Sequence, residues 1–250
     1  MTRISNTGSR ADSERRIVHP EQFQDPTAGD LARAASLGQW PTVADPAILG
    51  FAAFALPTFM LGWINAEIIN KNTAPVVFGL MLFYSGLGQL LVGMWEFRRN
   101  NSFGTVAFGS FGMFYLSLWA FFQFYAKEVP SVQLGQALGL FFVSWAVLAL
   151  ILWVASLHTT LLVNLIFLFT TALLTLLGIG NFANSTTVLH WGGYVGIVLG
   201  VIGWYAAAAT LINETFGRIV LPNPCIGRAC EIAGAPEPDR RDTAAAPTTR

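Results

Sequence analysis

Charged side chains that could bind an acidic group or exchange a proton are concentrated in one short stretch. Residues 93–104 read GMWEFRRNNSFG, which places Glu96, Arg98 and Arg99 within four positions, and no other charged residue occurs from residue 72 to residue 126. A trio of this kind can hold an anion, pass a proton through the carboxylate, or mark the rim of an apolar segment. The distribution of charge along the rest of the chain decides between these readings.

Charged residues are missing from the sequence in long blocks. Only 11% of the 250 residues are charged, against about 25% in soluble domains. No Asp, Glu, Lys or Arg occurs in residues 46–66, 72–95, 100–126 or 129–213. About 20 apolar residues cross a bilayer core as a helix, and only helices or closed barrels satisfy their backbone in lipid. Because these runs are too long for barrel strands, the sequence predicts an all-α membrane protein.

The apolar blocks divide into six predicted spans. They lie near residues 46–65, 75–95, 103–124, 134–155, 160–180 and 189–212, with polar breaks at SLHTT (156–160) and GNFANSTT (180–187). The polar ends of the chain bury too little apolar surface to offset chain entropy. We therefore expect a disordered N-terminal tail (1–44), a six-span transmembrane domain (45–220) and a disordered C-terminal tail (221–250).

The placement of basic residues predicts the orientation. Every arginine lies in a tail or in the loop that holds Arg98 and Arg99, whereas Lys71 and Lys127 lie in loops on the opposite side. Basic residues near span ends collect on the cytoplasmic side. We expect both termini to be cytoplasmic in a multi-pass protein of the plasma membrane. On this reading Arg98 and Arg99 are topology anchors, and Glu96 pairs with them.

Residues for catalysis or metal binding are sparse. The sequence has no H-E-x-x-H motif, no Ser–His pair at helical spacing within a span and no carboxylate cluster. His158 and His190 are predicted at opposite membrane faces, so they cannot share a ligand. Cys225 and Cys230 have no neighbouring histidine and are assigned to a reducing compartment, so we expect free thiols rather than a zinc site or disulfide. These features argue against an enzyme, a cofactor or a metal site, and zero net charge argues against nucleic-acid binding.

Small residues follow a helical repeat in span six. Gly192, Gly196 and Gly200 recur every four residues and share one helix face, as do Gly135 and Gly139 in span four. Such stripes let two helix backbones approach closely. Two interpretations stay open from the sequence: packing within the chain, or a contact between subunits.

Four stretches, in order, resemble the signature motifs of one transporter family. They are DPAILGF (45–51), FYSGLGQLLVGMWEFRRNNSFGTVAFGSFG (83–112), LLGIGN (176–181) and LINETFGRIVLP (211–222). The chain thus resembles the acetate uptake transporter family, which includes bacterial succinate–acetate permeases and fungal acetate and ammonia-export proteins. The resemblance implies six helices around a pore in each protomer, a hexameric ring, and transport of acetate or succinate together with protons.

The expected partners are therefore a small carboxylate, protons, membrane lipids and further copies of the chain. A carboxylate that crosses a path without fixed cations must travel with a proton or meet neutral hydrogen-bond donors. Helix starts can supply backbone N–H donors, because the helix dipole favours anions there. The side-chain candidates are Asn65, Gln89, Thr170, Thr171 and Asn181.

The first motif departs from the family pattern N-P-A-P-L-G-L at two positions. Asp45 replaces the leading Asn, and Ile48 replaces the second Pro. Asp and Asn are both good N-caps, so we expect Asp45 to cap the first span with Pro46 at its first helical position. The motif residues that are kept are Pro46, Ala47, Leu49 and Gly50.

The resemblance also implies a narrow ring made of a Phe, a Tyr and a Leu in the bacterial permeases. These positions fall on Phe54, Phe111 and Thr170, so one hydroxyl is lost, another is gained and a carbon of bulk is removed. We expect altered selectivity that admits a larger or more polar monocarboxylate such as lactate.

Two carboxylates near the ends of spans have roles to be assigned. Glu96 matches the family's Glu and is either a structural ion-pair partner or a proton acceptor at the exit side. Glu214 and Arg218 are four residues apart, which favours a structural ion pair on one helix. For the whole chain, the leading hypothesis is proton-coupled carboxylate transport. The alternatives are a passive channel for ammonia, urea or undissociated acetic acid, and a membrane sensor or scaffold.

Overall fold

The structure is a computed structural model that describes residues 43–226. Six long helices make up this part of the chain: α1 (Ala47–Asn65), α2 (Lys71–Arg98), α3 (Ser102–Tyr125), α4 (Ser131–Ser156), α5 (Leu161–Phe182) and α6 (Thr186–Phe216). Each helix is long and apolar enough to cross a membrane. Residues 43–226 contain no strand, only an isolated bridge between Thr160 and Cys225. The predicted all-α, six-span fold is confirmed.

Only Val43 and Ala44 of the predicted N-terminal tail, and residues 221–226 of the predicted C-terminal tail, are described. The rest of both tails, with Cys230, lies outside the described residues. Cys225 lies within them and is disulfide-bonded. The prediction of a free thiol is therefore wrong for Cys225. It rested on the redox state of an assumed compartment, for which the sequence carries no direct signal.

A left-handed residue ends α6 and separates two charges that were predicted to pair. Gly217 follows the helix with φ 61°, the conformation that glycine adopts most readily at a helix end. Arg218 comes after this turn and is no longer on the helix that carries Glu214. Among the ion pairs of residues 43–226, none joins Glu214 to Arg218, so that predicted pair is wrong.

The glycine stripe of α6 packs against other helices of the same chain. A Cβ atom at Gly196 would lie 3.3 Å from the Gly62 Cα atom, and one at Gly200 would lie 2.6 Å from the Phe59 Cβ atom. These contacts join α6 to α1, and Gly192 faces Leu177 of α5. The stripe is buried, so it provides packing within the chain and not a surface for a second subunit.

A proline in the middle of α1 is matched by a hydroxyl group on α2. Pro57 has no N–H, so the carbonyl of Ala53 one turn earlier loses its helical hydrogen-bond donor. Ser85 donates its hydroxyl to that carbonyl at 2.5 Å, and the Ser85 side chain is fully buried. Ser85 lies in a π-helical stretch (Leu80–Gly88) of α2. Because a lipid core offers no water to satisfy a free carbonyl, this bond fixes α2 against the middle of α1.

Candidate functional site

Two cavities occupy opposite ends of the helix bundle. Cavity 1, of about 580 Å³, is bordered by the first turns of α1, α3 and α5, through Ala47, Phe103 and Thr160. Cavity 2, of about 320 Å³, is bordered by the far ends of α1 and α5, through Asn65 and Asn181. The N-termini of three helices therefore face cavity 1, where the backbone dipoles favour negative charge.

Three residues border both cavities, and they are the three predicted for the narrow ring. Phe54 of α1, Phe111 of α3 and Thr170 of α5 line cavity 1 and cavity 2 alike, and no other residue within 43–226 does. The Phe54 and Phe111 rings meet edge to face with centroids 6.1 Å apart. The structure thus brings these side chains together from three helices to form the wall between the cavities.

Aromatic neighbours hold the Phe111 ring in place. Its centroid lies 6.0 Å from that of Phe114, 6.3 Å from Trp145 and 6.2 Å from Phe167. These rings come from α3, α4 and α5, so Phe111 is restrained from three directions. Such aromatic pairs are worth about 0.5–1.5 kcal/mol each beyond the area they bury, which favours a wall of fixed geometry.

A pair of hydroxyl groups lies just beyond the wall, on the side of cavity 2. Thr58 donates to the Phe54 carbonyl at 2.6 Å, and its hydroxyl lies 2.7 Å from the Tyr115 hydroxyl. Thr58 has one proton to donate, so Tyr115 is the donor of the second bond. The sequence analysis missed both residues. The signal was available, because Thr58 and Tyr115 follow Phe54 and Phe111 by four residues and so share their helix faces.

Most of the predicted hydrogen-bond donors are already engaged. Thr170 donates to the Ile166 carbonyl at 2.7 Å, and Thr171 to the Phe167 carbonyl at 2.8 Å. The Asn181 amide donates to its own helix at 2.7 Å. A polar residue in an apolar helix satisfies itself on the carbonyl one turn earlier. The two threonine hydroxyls are therefore left as acceptors toward a solute, and Asn181 keeps its second amide N–H as a donor.

The two remaining candidates differ in their access to solute. Asn65 borders cavity 2, and its side chain makes no hydrogen bond within residues 43–226. Gln89 is 1% exposed and borders neither cavity, and its amide nitrogen has no partner in the described part of the chain. Of the five predicted donors, Asn65 lines cavity 2 with both amide N–H groups free, and Asn181 lines the same cavity with one N–H left.

The charged trio of the opening sequence stretch forms a network at the end of cavity 1. Arg99 contacts Asp45 at 2.6 Å and Glu96 at 3.7 Å. The other Glu96 oxygen accepts a hydrogen bond from Asn101 at 2.8 Å, and the Glu96 side chain is 0% exposed. Arg98 is exposed and takes no part in these ion pairs. We call Asp45, Glu96, Arg99 and Asn101 the arginine mouth; Asp45 and Asn101 line cavity 1.

Asp45 also anchors the start of α1. Its carboxylate accepts a hydrogen bond from the Ala47 N–H at 2.9 Å. The helix begins at Ala47 with Pro46 as the flanking residue, one position later than predicted. Asp45 lies outside the helix, and it accepts a hydrogen bond from a first-turn N–H group. The same carboxylate also pairs with Arg99. Within the same motif Gly50 leaves room for the ring of Phe108, and Leu49 faces outward.

A second charged cluster lies at the end of cavity 2. Glu67 pairs with Lys71, and its second oxygen lies 3.3 Å from His190 Nε2. The hydrogen bond from Lys71, followed by that from His190, holds the pKa of the Glu67 carboxyl below its ordinary value. We call Glu67, Lys71 and His190 the lysine mouth; Lys71 lines cavity 2. His158 lines cavity 1 instead, so the two histidines lie at opposite ends, as the sequence indicated.

These features define a class of protein. Six apolar helices surround two cavities that open toward opposite ends and meet at a wall of uncharged side chains. Polar residues in such helices usually face a bundle interior or a solute path. The arrangement is that of a membrane transport protein of the channel or carrier class.

Comparison with known proteins identifies the family. Residues 28–226 match the model of the GPR1/FUN34/yaaH family, and the chain belongs to this family. The family predicted from the four motifs is confirmed. Its relatives are named as transporters and channels, so the chain is not an enzyme.

Three relatives illustrate the match. The succinate-acetate/proton symporter SatP of Escherichia coli is 31% identical over 180 residues, which cover 72% of this chain and 95% of that protein. The ammonia transport outward protein 2 of Saccharomyces cerevisiae is 36% identical over 183 residues, 71% of this chain and 65% of that protein. The solved structure of the bacterial acetate channel SatP superimposes with a TM-score of 0.69 at 31% identity, covering 73% of this chain and all of that one.

Proposed function

We propose that the chain transports acetate and related small carboxylates, succinate or lactate among them, across the plasma membrane. The observation that carries this proposal is the single wall of Phe54, Phe111 and Thr170 between two cavities at opposite ends of the bundle. A solute that crosses the bundle passes from one cavity to the other only by displacing these side chains. The names of the bacterial and fungal relatives support acetate as the solute.

We propose further that transport is coupled to protons. Carboxyl groups titrate near pH 4, so acetate is almost entirely an anion at neutral pH. The wall has no fixed cation, and the hydroxyl of Thr170 is already engaged. An anion therefore crosses at a lower cost when a proton accompanies it. The name of the Escherichia coli relative, a proton symporter, agrees with this. We expect both termini in the cytoplasm, because the loop between α2 and α3 carries the basic residues Arg98 and Arg99. We also expect a hexamer, by likeness to the family.

Uptake of labelled acetate into proteoliposomes tests the proposal. With an acidic outside and a neutral lumen, we expect accumulation above the equilibrium level, and collapse of the pH gradient with a protonophore should abolish it. Empty liposomes exposed to the same gradient measure the passive entry of undissociated acid. Equal uptake by both preparations would remove acetate transport as the function.

A passive channel is the second candidate, because the solved relative is described as an acetate channel. A channel brings acetate to equilibrium but never above it. It would also pass neutral solutes such as urea or ammonia. The name of the yeast relative mentions ammonia transport. Swelling of proteoliposomes in urea, together with the absence of accumulation in a pH gradient, would favour the channel over the carrier.

We also propose that Thr170 sets the size limit of the path. Thr170→Leu adds apolar bulk at the wall between the cavities, so uptake should shift toward acetate and away from lactate. A methylene in an apolar pocket is worth about 1–3 kcal/mol, which corresponds to a change of about tenfold or more in the acetate-to-lactate ratio. An unchanged ratio in Thr170→Leu, with normal acetate uptake, would exclude Thr170 as the selective residue.

A further inference from the structure

The lysine mouth combines a cation, a free amide and a cavity. Lys71 is the only charged residue among those that line cavity 2, and its side chain is 58% exposed. Asn65 lines the same cavity without a hydrogen-bond partner in the described part of the chain. An ammonium group next to an amide donor suits a carboxylate, which accepts hydrogen bonds only. At the other end of the bundle, the cation Arg99 is already shared between two carboxylates.

Glu67 competes with a solute for Lys71. The two side chains form an ion pair four residues apart, across the turn between α1 and α2. Glu67 has a left-handed backbone conformation, with φ 55°, which is uncommon for a residue with a long side chain. The pKa of Glu67 is held below its ordinary value by Lys71 and His190, so its carboxylate keeps its charge in mildly acidic solution.

His190 contacts the other oxygen of Glu67. Its Nε2 atom lies 3.3 Å from Glu67 Oε2, whereas Lys71 contacts Oε1. The helices that pack on α6 are α1 and α5, and neither contains a titratable side chain. The charged group that faces His190 is therefore Glu67, and Lys71 lies beyond it.

We propose that the lysine mouth is a capture site for short monocarboxylates, with Lys71 as the binding cation, Asn65 as an amide donor and Glu67 as the competitor that the solute displaces from Lys71. The exposed Lys71–Glu67 pair exchanges partners at little cost, so Lys71 can pair with a carboxylate at the mouth of cavity 2. The site acts before the solute reaches the wall, so it sets apparent affinity and leaves the maximal rate unchanged. This inference rests on the proposed function.

The test is acetate uptake into proteoliposomes that expose the lysine mouth, with KM and maximal rate measured separately at one fixed pH. Lys71→Gln should raise KM for the acetate anion by roughly two- to fivefold, the range for an exposed ion pair. Its maximal rate should stay normal, and Lys71→Arg should restore KM.

One more variant tests the competition for Lys71. Glu67→Gln leaves Lys71 without a competitor, so KM should fall below the wild-type value. A KM in Glu67→Gln that equals or exceeds the wild-type value would overturn the competition.

Lys127→Gln is the matched control, because it removes an exposed lysine from a loop at the same end that lines neither cavity. An equal rise in KM in Lys127→Gln and Lys71→Gln would indicate a general surface potential and overturn the capture site. An unchanged KM in Lys71→Gln, with active wild type, would also overturn it while the proposed function stands. An inactive wild type would instead remove the proposed function.

Discussion

The two ends of the bundle carry charge in opposite ways. In the arginine mouth, one cation serves two carboxylates, and Glu96 is completely buried. In the lysine mouth, one carboxylate serves two basic side chains, and Lys71 and Glu67 are 58% and 39% exposed. Removing one partner of a buried charge is costly, whereas exposed pairs exchange partners at little cost. The comparison indicates that the arginine mouth fixes the helices and the lysine mouth meets the solute.

The largest expected effect comes from removing the buried carboxylate. Glu96→Ala takes away the acceptor of the Asn101 amide and one partner of Arg99. Hydrogen bonds to charged groups contribute about 1.5–3 kcal/mol, so we expect a loss of stability of this size. The apparent melting temperature in detergent measures it. Arg98→Ala is the control, because Arg98 is exposed and outside the network, and an equal loss there would break the comparison.

A second substitution of Glu96 distinguishes its two possible roles, structural ion-pair partner and proton acceptor. Glu96→Gln keeps an acceptor for Asn101 but cannot exchange a proton. If Glu96 is structural, stimulation of acetate uptake by a pH gradient should survive in this variant. Loss of the stimulation at normal stability and normal downhill uptake would make Glu96 a proton acceptor instead.

A smaller effect is expected from the shared cation. Arg99→Gln breaks the contacts to Asp45 and Glu96. Because Arg99 is partly exposed, water solvates the carboxylates that lose their ion-pair partner. We therefore expect the free energy of unfolding to fall by about 1 kcal/mol or less. Denaturation at low and high salt measures it, and the difference from the wild type should shrink as salt screens the pair. A salt-independent difference would contradict an electrostatic role.

The smallest effect on stability is expected in the lysine mouth. The folded-state pKa of Glu67 is lowered, so its ion pair stabilises the fold above the ordinary Glu pKa, and this contribution is lost as the pH falls through the lower folded value. Wild type and Glu67→Gln should therefore differ slightly in melting temperature at neutral pH and converge below about pH 4. If the difference in melting temperature between the two proteins widens on acidification, the pKa of Glu67 is raised in the folded state and not lowered.

The sequence was sufficient where a signal runs along the chain. Uncharged runs located all six helices. The three positions on which the family resemblance placed a ring, Phe54, Phe111 and Thr170, border both cavities, and their role as a ring stays a prediction. The sequence was insufficient where the decisive contact depends on tertiary structure. Asp45 meets Arg99, and Glu67 meets His190, only because the helix ends come together in the bundle. The turn at Gly217 likewise removed the predicted Glu214–Arg218 pair, since spacing alone does not locate the end of a helix.

The donors illustrate a further limit of sequence-based prediction. Thr170, Thr171 and Asn181 have the right chemistry and lie in the right spans, but both threonine hydroxyl hydrogens and one of the two Asn181 amide hydrogens are used within α5. A sequence gives the type of a side chain, but it does not give the rotamer in which that side chain forms its hydrogen bonds. The Thr58–Tyr115 pair, in contrast, was within reach, because each residue follows a ring residue by one helical turn.

The central claim is that solute crosses the bundle at the wall between the two cavities, and a bulky side chain at Thr170 tests it most directly. Thr170→Trp should fill the junction of the cavities, while Thr175→Trp places the same side chain on the exposed face of α5. The measurement is the initial rate of labelled acetate uptake by proteoliposomes with equal amounts of each folded variant. We predict that Thr170→Trp lowers the initial uptake rate at least about tenfold, because the larger side chain overpacks the junction of the cavities. Thr175→Trp should keep a near-normal uptake rate. Wild-type uptake by a stable Thr170→Trp protein would contradict the account.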